Sequence, residues 1–287
     1  MCDLLFSCYN ISEVISMSQN KKEICIYTLC VLIATNILWY AGLSIERIDE
    51  NNLFGSILST VACFVPLIIA FIMCKISKQK FRILKLKPNI KKSWKVYLIS
   101  ILISLVLVYM SDLLPLVFFP KDVSINVESL KIGFFLQIAL YVVIGVIASI
   151  ELLGEEVGWM GYLYPRLEKE YGIFKSAFLL SIVRSLFHLV LLLFVYENIS
   201  DAMIGLLFLF VSNFALISIL IYVTKRSDSV FPASIIHALT NTLAVLSFIS
   251  VKEEFTITIP YRLVGLIPIV IVGSIFYILL YKKDKKV

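Results

Sequence analysis

Histidine is almost missing from this chain: its 287 residues include only two, His188 and His237. Charge is also scarce, at 16% Asp, Glu, Lys and Arg against 60% hydrophobic residues, and the mean hydropathy is +0.95. That balance excludes an ordinary water-soluble globular domain. No internal repeat of fixed period and no low-complexity linker interrupts the chain, so no soluble module is expected beside the apolar part. The first residues lack the basic, apolar and small-residue succession of a cleaved leader, and none is expected. The six cysteines, Cys2, Cys8, Cys25, Cys30, Cys63 and Cys74, include no CxxC pair. They carry no zinc-knuckle or disulfide-framework pattern and are read as small apolar fillers.

What is abundant is apolar sequence in runs of bilayer length. A span needs about 20 mostly apolar residues, and eight candidates stand out: 24–45, 53–74, 96–119, 133–153, 172–196, 202–223, 229–250 and 263–281. The expected fold class is therefore all-α, a polytopic membrane protein with about eight transmembrane helices. Residues 1–22 are expected as a cytoplasmic or interfacial N-terminal segment, with 4–17 as a short interfacial helix. Residues 23–281 are expected as one transmembrane domain, and 282–287 as a basic tail. The net charge of +6 is confined to particular loops. Lys75, Lys78, Lys80, Arg82, Lys85, Lys87, Lys91, Lys92 and Lys95 fall in one connection with no acid among them, and the tail is basic too. Alternate connections are neutral or acidic. The positive-inside bias then places both termini in the cytoplasm, and the charge is a topology signal with no nucleic-acid partner implied.

Ionisable groups inside such spans are costly and mark a functional site by default. The fourth span ends in Glu155-Glu156, and helical continuation would put Glu156 and Met160 on one face. A solvated acidic helix end, shared with Glu151 and Arg166, is the plain alternative. In the fifth span Arg184 and His188 are four residues apart on one face, and an arginine there costs about 2.5–3.5 kcal/mol on insertion scales. It should face protein and find a carboxylate. In the seventh span His237 and Asn241 repeat the four-residue spacing, with interhelical hydrogen bonding as the plain reading of Asn241. Together these segments use every histidine in the chain.

The set resembles the motifs of the CPBP family, intramembrane peptidases of eight helices that include CAAX proteases and bacteriocin-processing or Abi proteins. That family carries a double glutamate followed by xxxR, an aromatic followed by xxx and histidine, and a histidine followed by xxx and Asn or Asp. Glu155-Glu156, His188 and His237/Asn241 match, as do the flanking Gly158-Trp159-x-Gly161-Tyr162-Leu163 and Pro165-Arg166-Leu167. The similarity covers about residues 133–250. Two positions depart: Met160 stands where the arginine is expected, and Arg184 where the aromatic is expected. One exchange would explain both, with Arg184 replacing the missing guanidinium and pairing with Glu156.

The resemblance implies an endopeptidase acting on a membrane-associated peptide or protein. Glu155 and His188 would orient and deprotonate the attacking water, His237 and Asn241 would stabilise the oxyanion, and Glu156 would be an electrostatic partner. Glu155, His188 and His237 also match a His₂Glu zinc set in kind, although the spacing is not HExxH; water activated by glutamate without a metal is the slightly preferred reading. The protein is expected in the cell membrane, with its site toward the cytoplasmic leaflet. The Lys-, Ile- and Asn-rich composition suggests a bacterial source with an AT-rich genome, and peptide processing or self-immunity. Two other readings stay open. Met160 favours a catalytically inactive scaffold or immunity protein. Intramembrane Glu and His also serve transporters and proton relays, against which no inverted repeat is visible.

Overall fold

The computed structural model describes residues 18–49, 51–252 and 258–284. The interfacial helix expected over 4–17 lies outside the described residues. The described residues are all-α apart from one pair of short strands. Helix α1 (Gln19–Ile48) starts at Ser18, whose hydroxyl accepts from the Lys21 amide. Helix α2 (Leu53–Ile76) starts at Asn52, whose side chain accepts from the Phe54 and Gly55 amides. Each cap satisfies amides that the first helical turn leaves unpaired. A 3₁₀ turn, Phe81–Leu84, precedes α3 (Ile90–Leu113), and a one-turn helix, Pro115–Phe118, follows it. Strand β1 (Val123–Ile125) comes next, then α4 (Ile132–Glu156), a π-helical segment Val157–Leu163, and α5 (Tyr164–Phe187). The short α6 (Leu189–Val195), α7 (Ile199–Ser227), α8 (Phe231–Leu243), β2 (Ile249–Val251) and α9 (Ile259–Asp284) complete the order.

Six stretches among the described residues are long and apolar enough to cross a bilayer: Gln19–Ile48, Leu53–Ile76, Ile90–Phe118, Ile132–Phe187, Ile199–Ser227 and Ile259–Lys282. The fourth is a 56-residue run that contains the expected fourth span and most of the fifth. It bends at Gly172, whose φ of 72° is open to glycine at little cost and strained for other residues. The expected seventh span contains the 13-residue α8, beyond which the chain turns into β2. Outward faces remain apolar. On α4, Leu136, Leu140, Val143, Ile147 and Ile150 are all exposed at helical spacing. A stripe of that kind is suited to lipid and unsuited to water. This is an integral membrane protein.

By Cα packing the chain divides into two units, Met1–Lys87 with Leu153–Phe214, and Pro88–Leu152 with Ala215–Val287. In the first unit α1 and α2 approach closely through glycine. A Cβ on Gly42 would lie 2.6 Å from Ser59 Oγ and 2.9 Å from the Gly55 carbonyl oxygen. Small residues permit such backbone contact between membrane helices. Of the described cysteines, Cys25 is disulfide-bonded, and Cys30 and Cys74 carry free thiols; the spacing held no sign of that bond.

In the second unit Ile235, Leu239 and Leu243 form the buried stripe of α8. They pack on Tyr97, Ile101, Leu105 and Val108 of α3 and on Ile138, Tyr141 and Val142 of α4. Strands β1 and β2 pair antiparallel with Val123 opposite Val251, Ser124 opposite Ser250 and Ile125 opposite Ile249. Asp112 fixes the approach to β2, accepting from the Phe248 amide at 2.7 Å and from the Ser247 hydroxyl.

Candidate active site

Four of the expected site residues lie in the first unit. Glu155 and Glu156 end α4 and are 3% and 0% exposed, so they are not a solvated helix end. Glu151, one turn earlier, is exposed. The helix then widens into the π segment Val157–Leu163, every residue of which is buried. Such segments are rare and concentrate at functional sites. The packing around this one is tight. A Cβ on Gly158 would meet Tyr27 Oη at 2.3 Å and Pro66 Cβ at 2.4 Å, and one on Gly161 would meet the Leu84 carbonyl oxygen at 2.7 Å. Glycine is what allows the segment to lie against α2 and the 3₁₀ turn.

The Trp159 indole, fully buried, donates from Nε1 to Glu155 Oε2 at 3.3 Å. Its ring meets Phe187 edge-on at 5.4 Å, and Phe187 meets the His188 ring at 4.9 Å. Aromatic packing therefore connects the first glutamate with the first histidine. Arg184 is 1% exposed and its Nη2 lies 3.1 Å from Glu156 Oε1. The arginine in the fifth span has its carboxylate. Met160, at the position where an arginine was expected, is fully buried in the π segment.

His188 is partly buried and stands where the helix breaks, between α5 and α6, with φ −93° and ψ 8°. That bridge region is sparsely populated and recurs at active sites. His188 Nδ1 lies 2.9 Å from the Arg184 carbonyl oxygen. A carbonyl can only accept, so Nδ1 carries hydrogen and Nε2 is the basic nitrogen of the neutral ring. Serines line the approach: Ser181 donates to the Ala177 carbonyl, and Ser185 donates to that of Ser181 while accepting from Asn213. Back-bonding of this kind bends helices.

The other two expected residues lie in the second unit, on α8. His237 is buried and Asn241 is exposed. Among the described residues, no three His, Cys, Asp or Glu side chains are placed to hold a metal ion.

Sequence reasoning missed a polar clamp below the π segment. Arg166 is buried, donating from Nε to Glu23 Oε2 at 2.9 Å and from Nη1 to the Tyr162 carbonyl at 2.9 Å. Its Nη2 donates to Gln79, and its guanidinium lies 3.5 Å from the centre of the Tyr162 ring. Ser77 donates to Glu23 at 2.7 Å, and Asn20 donates to the Arg166 carbonyl at 3.0 Å. The start of α1, the end of α2 and the start of α5 are thus tied around the motif helix. An acidic residue at the mouth of the first span was the one available signal.

The fold defines a class, a polytopic α-helical membrane protein with buried carboxylates and a histidine at a helix break. The family model of type II CAAX prenyl endopeptidase Rce1-like proteins matches residues 131–243. The match bears out the resemblance to the CPBP and CAAX proteases, and at family level it supports a CAAX-type membrane protease. All six expected site residues fall within the matched stretch. No curated protein matches the chain.

Proposed function

We propose that this protein is an intramembrane endopeptidase that hydrolyses a peptide bond of a membrane-associated peptide or protein. The observation that carries the reading is the division of labour between the two buried glutamates. Arg184 holds Glu156 in an ion pair, which commits that carboxylate to support. Glu155 accepts from a neutral indole through Oε2 and keeps Oε1 for water. Glu155 and His188 Nε2 then orient the water and take its proton as oxygen attacks the carbonyl carbon. His237 and Asn241 receive the oxyanion, an assignment carried by the family motif alone. Collapse of the tetrahedral intermediate breaks the C–N bond, and the stored proton passes to the leaving amine. The products are a carboxylate and an amine, and every group used belongs to the chain. A prenylated CAAX tail is the first substrate to try, since the matched family is named for it; peptide precursors of bacterial signalling or self-immunity are the second.

The test is cleavage of a quenched fluorescent peptide ending in a prenylated CAAX box by the full-length protein in liposomes. Membrane and secreted peptides of cells carrying wild type or Glu155→Ala would be compared in parallel. Glu155→Ala and His188→Ala should each lower cleavage at least about 100-fold, the scale of a lost general base. Cleavage that persists unchanged in both variants would remove Glu155 and His188 from the reaction, and a wild type that cleaves nothing, with a peptide profile identical to that of Glu155→Ala cells, would return the protein to the scaffold reading.

A further inference from the structure

In a continuous α-helix the Val190 amide would donate to the Leu186 carbonyl four residues earlier. Here an amide side chain from α1 stands between them. Asn36 Oδ1 accepts from the Val190 amide at 3.2 Å, and Asn36 Nδ2 donates to the Leu186 carbonyl at 3.3 Å. The same Nδ2 also donates to the Leu32 carbonyl at 2.8 Å, which ties the side chain to its own helix. Side-chain insertion into the hydrogen-bond ladder is a recognised cause of a sharp helix break. The break lies at His188, midway between the two backbone groups that Asn36 separates. The groove around Asn36 is almost wholly apolar, lined by Leu32, Ile33, Ile37, Tyr40, Ala41 and Val190. An amide there satisfies both backbone groups at once, where an aliphatic side chain would satisfy neither.

From this geometry we infer that Asn36 is a positioning residue for His188, resting on the endopeptidase reading for its catalytic consequence. It holds the helix open, keeps His188 out of helical backbone angles and so aims Nε2. In Asn36→Leu, which fills a similar volume in an apolar groove, the Val190 amide and the Leu186 carbonyl rejoin and the imidazole turns with the backbone. In the liposome assay with the prenylated CAAX peptide, Asn36→Leu should lower kcat about 10–100-fold, the scale of a misplacement near 1 Å. KM should stay within about twofold, and the limb of the pH–kcat profile that reports the imidazole should move. Asn36→Gln keeps a donor and an acceptor and should recover most of the rate. A merely structural role would reduce the amount of active protein without moving that limb. Unchanged kcat and pH profile in Asn36→Leu would overturn the inference. If wild type does not cleave the peptide, the endopeptidase reading fails on that substrate, and the backbone decides the separate question. A structure of Asn36→Leu with a Val190–Leu186 hydrogen bond and helical angles at His188 supports the positioning role, and a break that persists refutes it.

Discussion

Replacing Arg184 by methionine should test whether the buried charge pair is what makes Glu156 tolerable. The Arg184 and Glu156 side chains are 2% and 0% exposed, and their charged atoms are 3.1 Å apart. Removing the guanidinium leaves Glu156 with a charge that neither water nor lipid can solvate. Breaking a buried pair from one side costs about 3–5 kcal/mol. Removing both charges, as in Glu156→Gln with Arg184→Met, should recover most of that loss, because buried pairs exchanged for neutral groups of similar volume are often close to neutral. The non-additivity of the double-mutant cycle should therefore exceed about 2 kcal/mol, well above the 0.3–0.5 kcal/mol expected of independent sites. The assay is unfolding of the purified protein in mixed micelles, with fraction folded read against mole fraction of denaturing detergent. One control is built into the fold: His188 Nδ1 pairs with the Arg184 backbone carbonyl, so a side-chain change at position 184 leaves that bond's acceptor in place. An Arg184→Met variant within 1 kcal/mol of wild type, or a double variant that simply adds the two single losses, would refute the pairing argument.

Trp159→Phe keeps the ring against Phe187 but deletes the indole hydrogen bond to Glu155. A hydrogen bond to a charged group is worth about 1.5–3 kcal/mol, so kcat in the peptide assay should fall roughly 10–100-fold, and a rate within twofold of wild type would remove Trp159 from the machinery. Gly161→Ala drives a methyl to 2.7 Å from the Leu84 carbonyl oxygen. It should destabilise by about 1–3 kcal/mol as overpacking does, measured by detergent unfolding, whereas Gly133→Ala meets nothing within 4 Å and should stay within about 0.5 kcal/mol. Incubation with a strong chelator should leave peptide cleavage within about twofold of the untreated rate; loss that zinc restores would show that a metal completes the site.

The spans were legible because a run of about 20 apolar residues has few other fates. Their subdivision was less so. Residues 133–153 and 172–196 read as two spans with a connection, yet the polar stretch between them stays helical, passing through the π segment and bending at Gly172. Hydropathy sees polarity and has no term for a helix that continues through it. Residues 229–250 read as one apolar span, yet helix stops at Leu243 and Ile249–Val251 pair with β1. A short apolar run cannot be assigned to strand or helix by periodicity alone, and the partner strand lies more than 100 residues earlier in the chain.

The same divide runs through the site. Arg184 with His188, and His237 with Asn241, were visible because each pair is separated by one helical turn, and a turn can be counted. The Arg184–Glu156 pairing could be inferred as well, since a buried guanidinium demands a carboxylate and few are available within the spans. Asn36, Glu23 and Arg166 offered no such handle. Asn36 meets Val190 across 154 positions of sequence, and Glu23 meets Arg166 across 143. In one sequence an isolated asparagine in a span reads as helix glue and an acid at its mouth as a cap. Their consequence is nonetheless the more demanding one. The paired residues fall inside the matched stretch, but the side chain that meets the break at His188 and the acid that clamps Arg166 both come from helix α1, which lies outside it. The machinery is therefore larger than its motifs. A segment of residues 131–243 alone would retain all six candidate site residues and lose both the Asn36 contacts beside His188 and the Glu23 contact with Arg166.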